Sequence, residues 1–134
     1  MAAAMGIMFS TKKEDLNRDF EQWEIDIIDE FFDSLKWTAD KTEPVVDKIP
    51  YGKLMMYVDM QNRYTYRGSV TTPPCATAVY WNVLTTIYPI KQKHVDNFKL
   101  QLAKNTSQKP KKLVDTGNYR YILPYIEGPN GSDG

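Results

Sequence analysis

Pro73 and Pro74 follow a pair of threonines in the run Arg67-Gly-Ser-Val-Thr-Thr-Pro-Pro-Cys75, and neither a helix interior nor an inner strand can pass through them. Each ring fixes its own φ and removes a backbone donor, and the first also drives Thr72 towards extended backbone. The chain must turn here in a stiff loop. Before it, Tyr64 and Tyr66, and after it, Val79, Trp81 and Val83, show the alternation and the β-branched or aromatic bias of strands. The segment therefore reads as strand, loop, strand, with the hydroxyls of Thr71 and Thr72 presented on the bend. Local physics leaves two uses for such hydroxyls, a preorganised site or a plain surface turn.

Elsewhere the period changes. Glu24, Ile27, Ile28, Phe31 and Leu35 fall at helical spacing within residues 21–37, with Asp26, Asp29, Glu30 and Asp33 mostly between them. This predicts an amphipathic helix whose carboxylates face water. Val95, Phe98 and Leu102 predict a second short helix, with His94 at its start as a surface histidine. The apolar residues up to Phe9 predict a short buried strand, and the methionine-rich stretch from Tyr51 to Met60 is expected to pack as core or as a short turn. A final extended piece is expected near residues 119–126. Strands mixed with isolated helices predict an α+β chain, mostly β.

Composition narrows the function classes. The 134 residues are 42% apolar and 25% charged, as in one ordinary globular domain. The 17 basic side chains cancel the 17 acidic ones, so no domain-wide field exists to hold nucleic acid. No stretch approaches the roughly 20 apolar residues of a membrane-spanning helix, and no basic n-region marks a signal peptide. With one cysteine, Cys75, and one histidine, His94, the sequence cannot by itself build a zinc ribbon, a Cys/His cluster or a three-histidine metal site.

The string Tyr66-Arg-Gly-Ser-Val-Thr-Thr-Pro-Pro-Cys75, followed by Ala78-Val-Tyr-Trp-Asn-Val-Leu84, resembles the active-site loop and following strand of the α-carbonic anhydrases. Met5-Gly-Ile-Met-Phe9 is similar to that family's buried strand, residues 95–102 to its late helix, and Asn118-Tyr-Arg120 to its C-terminal Asn-aromatic-Arg element, all in family order. The resemblance implies a partial domain over residues 1–126, corresponding to the C-terminal half of a twisted, largely antiparallel sheet with surface helices. Residues 127–134 form a Gly-rich tail beyond it. The family holds its zinc with a His-x-His pair on one strand and a third histidine on the next, and none of these matches a position here. Zinc is thus implied for the complete family domain and not for this chain alone. A complementing N-terminal half or another protein subunit would bring the ligands and cover the sheet edge beside residues 2–9.

By motif position, two residues carry catalytic roles. Thr71 resembles the gatekeeper threonine, which accepts the hydrogen of the zinc-bound hydroxide and so orients it, and Thr72 resembles the neighbouring pocket residue that touches bicarbonate. Val70, Val79 and Trp81 match the apolar wall against which carbon dioxide rests, and Ala4 stands where the family commonly has valine. Tyr66, Asn118 and Arg120 match structural positions. Cys75 matches one half of a disulfide common in secreted and membrane-anchored members; it is either that half, with its partner elsewhere, or a free thiol. The implied function is the C-terminal part of a zinc enzyme for the reversible hydration of carbon dioxide to bicarbonate. The alternative is a catalytically inactive structural or interaction subunit of a larger assembly.

Overall fold

Apolar residues without proline or charge from Ala2 onwards form strand β1 (Ala2–Ser10) in the computed structural model, which describes residues 2–38, 43–71 and 74–105. Strand β2 (Arg63–Gly68) and strand β3 (Val79–Pro89) flank the proline loop, and the sheet order is β1-β3-β2. β2 runs antiparallel to β3, with Tyr64 opposite Val83, Tyr66 opposite Trp81 and Gly68 opposite Val79. β1 runs parallel to β3: the Ala2 amide donates to the Ala78 carbonyl at 2.9 Å, and further along both strands Gly6 lies against Val83. The α+β class and the twisted sheet expected from the sequence are present, and the sheet is mixed.

The described residues fall into two compact units, one built from residues 2–6 and 61–85, the other from residues 7–60 and 86–105. The first contains the β2–β3 pair and the proline loop. The second contains helices α1 (Gln22–Ser34), α2 (Tyr51–Tyr57) and α3 (Gln92–Asn105). A capping box starts α1, in which the Glu21 side chain accepts from the Glu24 amide while the Glu24 carboxylate accepts from the Glu21 amide. It ends where Lys36 turns to a positive φ of 52°. Ile28, Leu54, Val58 and Tyr88 form the buried apolar residues of this unit. Around them runs a chain of ring contacts, Trp23–Tyr57–Tyr88–Phe9–Phe32–Trp37–Phe98, with centroids 5.0–6.2 Å apart.

Four sequence-based expectations change here. Strand β1 is not buried: it lies at the edge of the sheet formed by the described residues, none of its residues is fully buried, and Met5 and Met8 are exposed, because only β3 pairs with it. His94 is not a surface residue: it is 1% exposed, its Nε2 lies 2.8 Å from Asp29 Oδ1, and its ring sits 5.4 Å from that of Phe32. Asp29, expected on the solvated face of α1, is 9% exposed and pairs with Lys91 as well as His94. Helical geometry places it beside Ile28 on the inward arc, where a partnered charge can be accommodated. Residues 51–57 form a helix rather than a turn, and Met56 on it is 91% exposed, so that methionine is not core.

Candidate active-site face

β alternation puts Val79, Trp81 and Val83 on one face of β3, and the antiparallel register sets Gly68, Tyr66 and Tyr64 directly across from them. The Tyr66 and Trp81 rings stack with centroids 6.4 Å apart and planes 14° from parallel. Gly68 makes room for this. A Cβ at that position would lie 2.9 Å from Trp81 Cδ1 and 3.2 Å from both Trp81 Nε1 and Tyr66 Cε2. With the space open, the indole N–H donates to the Ser69 carbonyl at 3.2 Å and ties β3 to the entry of the loop. The loop closes on itself through the Val70 amide, which donates to the Ala76 carbonyl at 3.0 Å. Cys75 has a φ of 55°, a left-handed conformation uncommon for a side chain with a Cβ.

The expected site residues are distributed as follows. Val79 is buried, Trp81 is half-buried, and Tyr66 is exposed on the same face of the strand pair. Ala4 is half-buried on β1, the neighbour of β3, and the Asn82 side-chain amide donates to its carbonyl at a long 3.5 Å. Val70 and Thr71 are exposed on the loop. Cys75 is a half-buried free thiol. Thr72, Asn118 and Arg120, the extended piece near residues 119–126 and the tail at residues 127–134 lie outside the described residues. Sequence reasoning missed Gly68 and the Ser69 carbonyl. The signal for Gly68 was the glycine two positions after Tyr66, facing a strand that carries a tryptophan.

The described residues of this unit include no Asp, Glu, His or Lys. They offer hydroxyls, phenols, apolar side chains, two arginines, one thiol and backbone groups, and no carboxylate or imidazole. The Gly68 contact gives a direct test. Gly68→Ala is expected to destabilise the folded protein by about 1–3 kcal/mol, the usual cost of overpacking, and to shift the indole N–H resonance of Trp81 as the Ser69 bond lengthens. An unchanged indole resonance with unchanged stability would mean that the stacked pair does not depend on the glycine.

Zinc, which the resemblance implies, is not fitted by these residues. Among the described residues no three His, Cys, Asp or Glu side chains gather where a metal ion could be held. The one histidine is engaged with Asp29 in the other unit. No helix among the described residues is long and apolar enough to cross a membrane.

Comparison with known proteins places the chain. A family model for eukaryotic-type carbonic anhydrase matches residues 1–127. Carbonic anhydrase 6 of Canis lupus familiaris is 38% identical over 47 residues, which cover 35% of this chain and 14% of that protein. Mitochondrial carbonic anhydrase 5B of Mus musculus is 30% identical over 63 residues, covering 47% of this chain and 19% of that protein. Among solved structures, the α-carbonic anhydrase from Thermovibrio ammonificans in complex with the inhibitor sulfanilamide aligns with a TM-score of 0.49 and 22% identity, over 81% of this chain and 43% of that one. The matched stretches span between 14% and 21% of the curated relatives' own lengths. On the match over residues 1–127, the chain belongs to the eukaryotic-type carbonic anhydrase family.

Proposed function

We propose that the chain is the C-terminal part of a zinc carbonic anhydrase that hydrates carbon dioxide to bicarbonate reversibly. In this reading it supplies the threonine loop and the apolar wall, while histidines outside this sequence hold the zinc. The observation that carries the reading is the composition of the β2–β3 face. It sets Val79 and Trp81 beside the loop bearing Thr71, and its described residues include no carboxylate or imidazole, so they suit positioning of a small apolar molecule and leave activation to other residues. Carbon dioxide has no hydrogen to donate, so its site calls for a dry wall and a backbone or hydroxyl partner. Thr71 is assigned the orienting role and Thr72 the secondary pocket role. Val70, Val79, Trp81 and Ala4 are assigned to the wall. With alanine in place of valine, Ala4 widens the pocket and holds the substrate more loosely.

The test is reconstitution. The polypeptide alone is expected to retain no zinc after dialysis against a weak chelator and to hydrate carbon dioxide no faster than buffer. Combined with the segment or subunit that carries the three histidines, it is expected to take up zinc and turn over. In that active form Thr71→Val should lower kcat/KM by roughly 100-fold, the scale of losing one orienting group, and Thr72→Val by much less. Equal losses at the two threonines would remove the assignment. An assembly that folds around the chain but holds no zinc beside Thr71 would support the inactive structural subunit instead.

A further inference from the structure

The segment that joins β1 to α1 encloses a cleft that the proposed function does not use. Two bonds pin this segment to the end of β3: the Ser10 carbonyl accepts from the Ile90 amide at 3.0 Å, and Asn17 Oδ1 accepts from the Ile87 amide at 3.2 Å. Between these attachments the chain makes a single turn of 3-10 helix, Lys13–Asp15. The result is a held concavity of about 430 Å³, a size typical of small-molecule sites. Its lining residues all belong to the helical unit and include none from the face that carries Thr71. What it binds is therefore independent of the reading of that face.

Half-buried Leu16, Ile25 and Pro89 give the cleft its apolar sides. Arg18 also lines it, but its charge is already engaged. The guanidinium lies 3.9 Å over the Phe20 ring and bonds the buried Glu24 carboxylate through both terminal nitrogens. Lys13 and Asp19 differ from it: both are exposed, both line the cleft, and among the described residues neither has an ion-pair partner. The cleft thus presents one unmatched cation, one unmatched anion and an apolar surface. A plain anion would gain Lys13 but meet repulsion from Asp19, and a plain cation would meet the reverse. A neutral apolar molecule would leave both charges unmatched. A molecule that carries both charges on an apolar body satisfies all three features.

We propose that this cleft binds a small zwitterion with an apolar body, of the class of the aliphatic α-amino acids. The ligand carboxylate pairs with Lys13, its ammonium with Asp19, and its side chain rests against Leu16, Ile25 and Pro89. Both ion pairs are made at exposed side chains and each adds little. Burial of the aliphatic side chain supplies most of the affinity, and the two charges select the ligand.

The test is an NMR titration of the complete protein with L-leucine, followed at the amides of residues 13–20 and 25. Saturable shifts are expected, with a Kd on the order of 1 mM. Isocaproate lacks the ammonium and isoamylamine lacks the carboxylate; each is expected to bind about 2–5-fold more weakly, the scale of one exposed ion pair. Glycine, which keeps both charges but has no apolar body, should bind at least about 10-fold more weakly. Lys13 and Asp19 are exposed, so Lys13→Met and Asp19→Asn should fold normally. Lys13→Met is expected to weaken leucine about 2–5-fold without weakening isoamylamine, and Asp19→Asn to weaken leucine similarly without weakening isocaproate. Shifts that never saturate, equal affinity for leucine and both singly charged analogues, or variants that bind leucine as the wild type does would each overturn the proposal.

Discussion

Glu24→Ala is expected to lower the unfolding free energy by about 3 kcal/mol, a large part of the roughly 5–15 kcal/mol by which domains are stable. The carboxylate is buried and collects four donors: Arg18 Nη2 at 2.8 Å and Nη1 at 3.3 Å, the Tyr57 hydroxyl at 3.0 Å and the Glu21 amide at 2.8 Å. Losing its half of the capping box costs about 1 kcal/mol, and a hydrogen bond to a buried charge contributes about 1.5–3 kcal/mol. Arg18 is half free to solvent and recovers some hydration, which keeps the total from being larger. The Arg18 hydrogen bond, opposed by burial and aided by the Glu21 amide and Tyr57, holds the Glu24 carboxyl below its ordinary 4.5. Burial, then the hydrogen bond and charge of Glu24, push the Tyr57 hydroxyl far up, so it remains a donor. A carboxyl with a lowered folded-state value stabilises fully above its ordinary value and loses that contribution as pH falls through the lowered one. The gap between wild type and Glu24→Gln in urea unfolding should therefore be present at neutral pH and close in acid. A gap that persists unchanged in acid would mean that the carboxylate charge contributes nothing.

The parts of the fold legible in the sequence were those whose cause is local. Helix α1 was visible because Glu24, Ile28 and Phe31 repeat at its period, and the β2–β3 pair because prolines and alternating aromatics bracket the loop. Gly68 closes β2 opposite Val79, and its contact with Trp81, two residues further along β3, depends on a strand register that no residue within the loop encodes. Asp29 and His94 were misread for the same reason. A carboxylate on a helix and a histidine at a helix start look solvated by base rate, and only their pairing across 65 positions makes burial affordable. Helix α2 was missed because seven residues containing Gly52 carry almost no periodic signal, and tertiary packing of Leu54 decides it. In the candidate site, the residue types came from motif position. That the described residues of the face include no carboxylate or imidazole could be seen only once the structure showed which residues share it.

Tyr88→Ala is expected to be the most damaging single truncation in the helical unit, costing about 3–5 kcal/mol by analogy with other buried aromatic deletions. Tyr88 is 1% exposed, and its ring meets those of Phe9, Phe20 and Tyr57 at centroid separations of 5.5–6.2 Å. Its hydroxyl accepts from the Asp59 amide at 2.7 Å, so the side chain fastens the residues after α2 to the end of β3 as well as filling space. The large edge-to-face area and the polar tip both disappear in alanine, and the flanking rings can collapse into the gap only by giving up their own geometry. Tyr88→Phe separates the two contributions: it keeps the ring contacts and loses the hydroxyl acceptor, at about 0.5–1.5 kcal/mol for a neutral hydrogen bond. Met56→Ala on the exposed side of α2 serves as the control, expected within about 0.5 kcal/mol of wild type. For a chain of this size 1 kcal/mol moves Tm by about 3–5 °C, so Tyr88→Ala should lower Tm by at least 10 °C while Met56→Ala leaves it nearly unmoved. If Tyr88→Ala and Tyr88→Phe lose the same amount, the ring cluster contributes little and the hydroxyl bond carries the position.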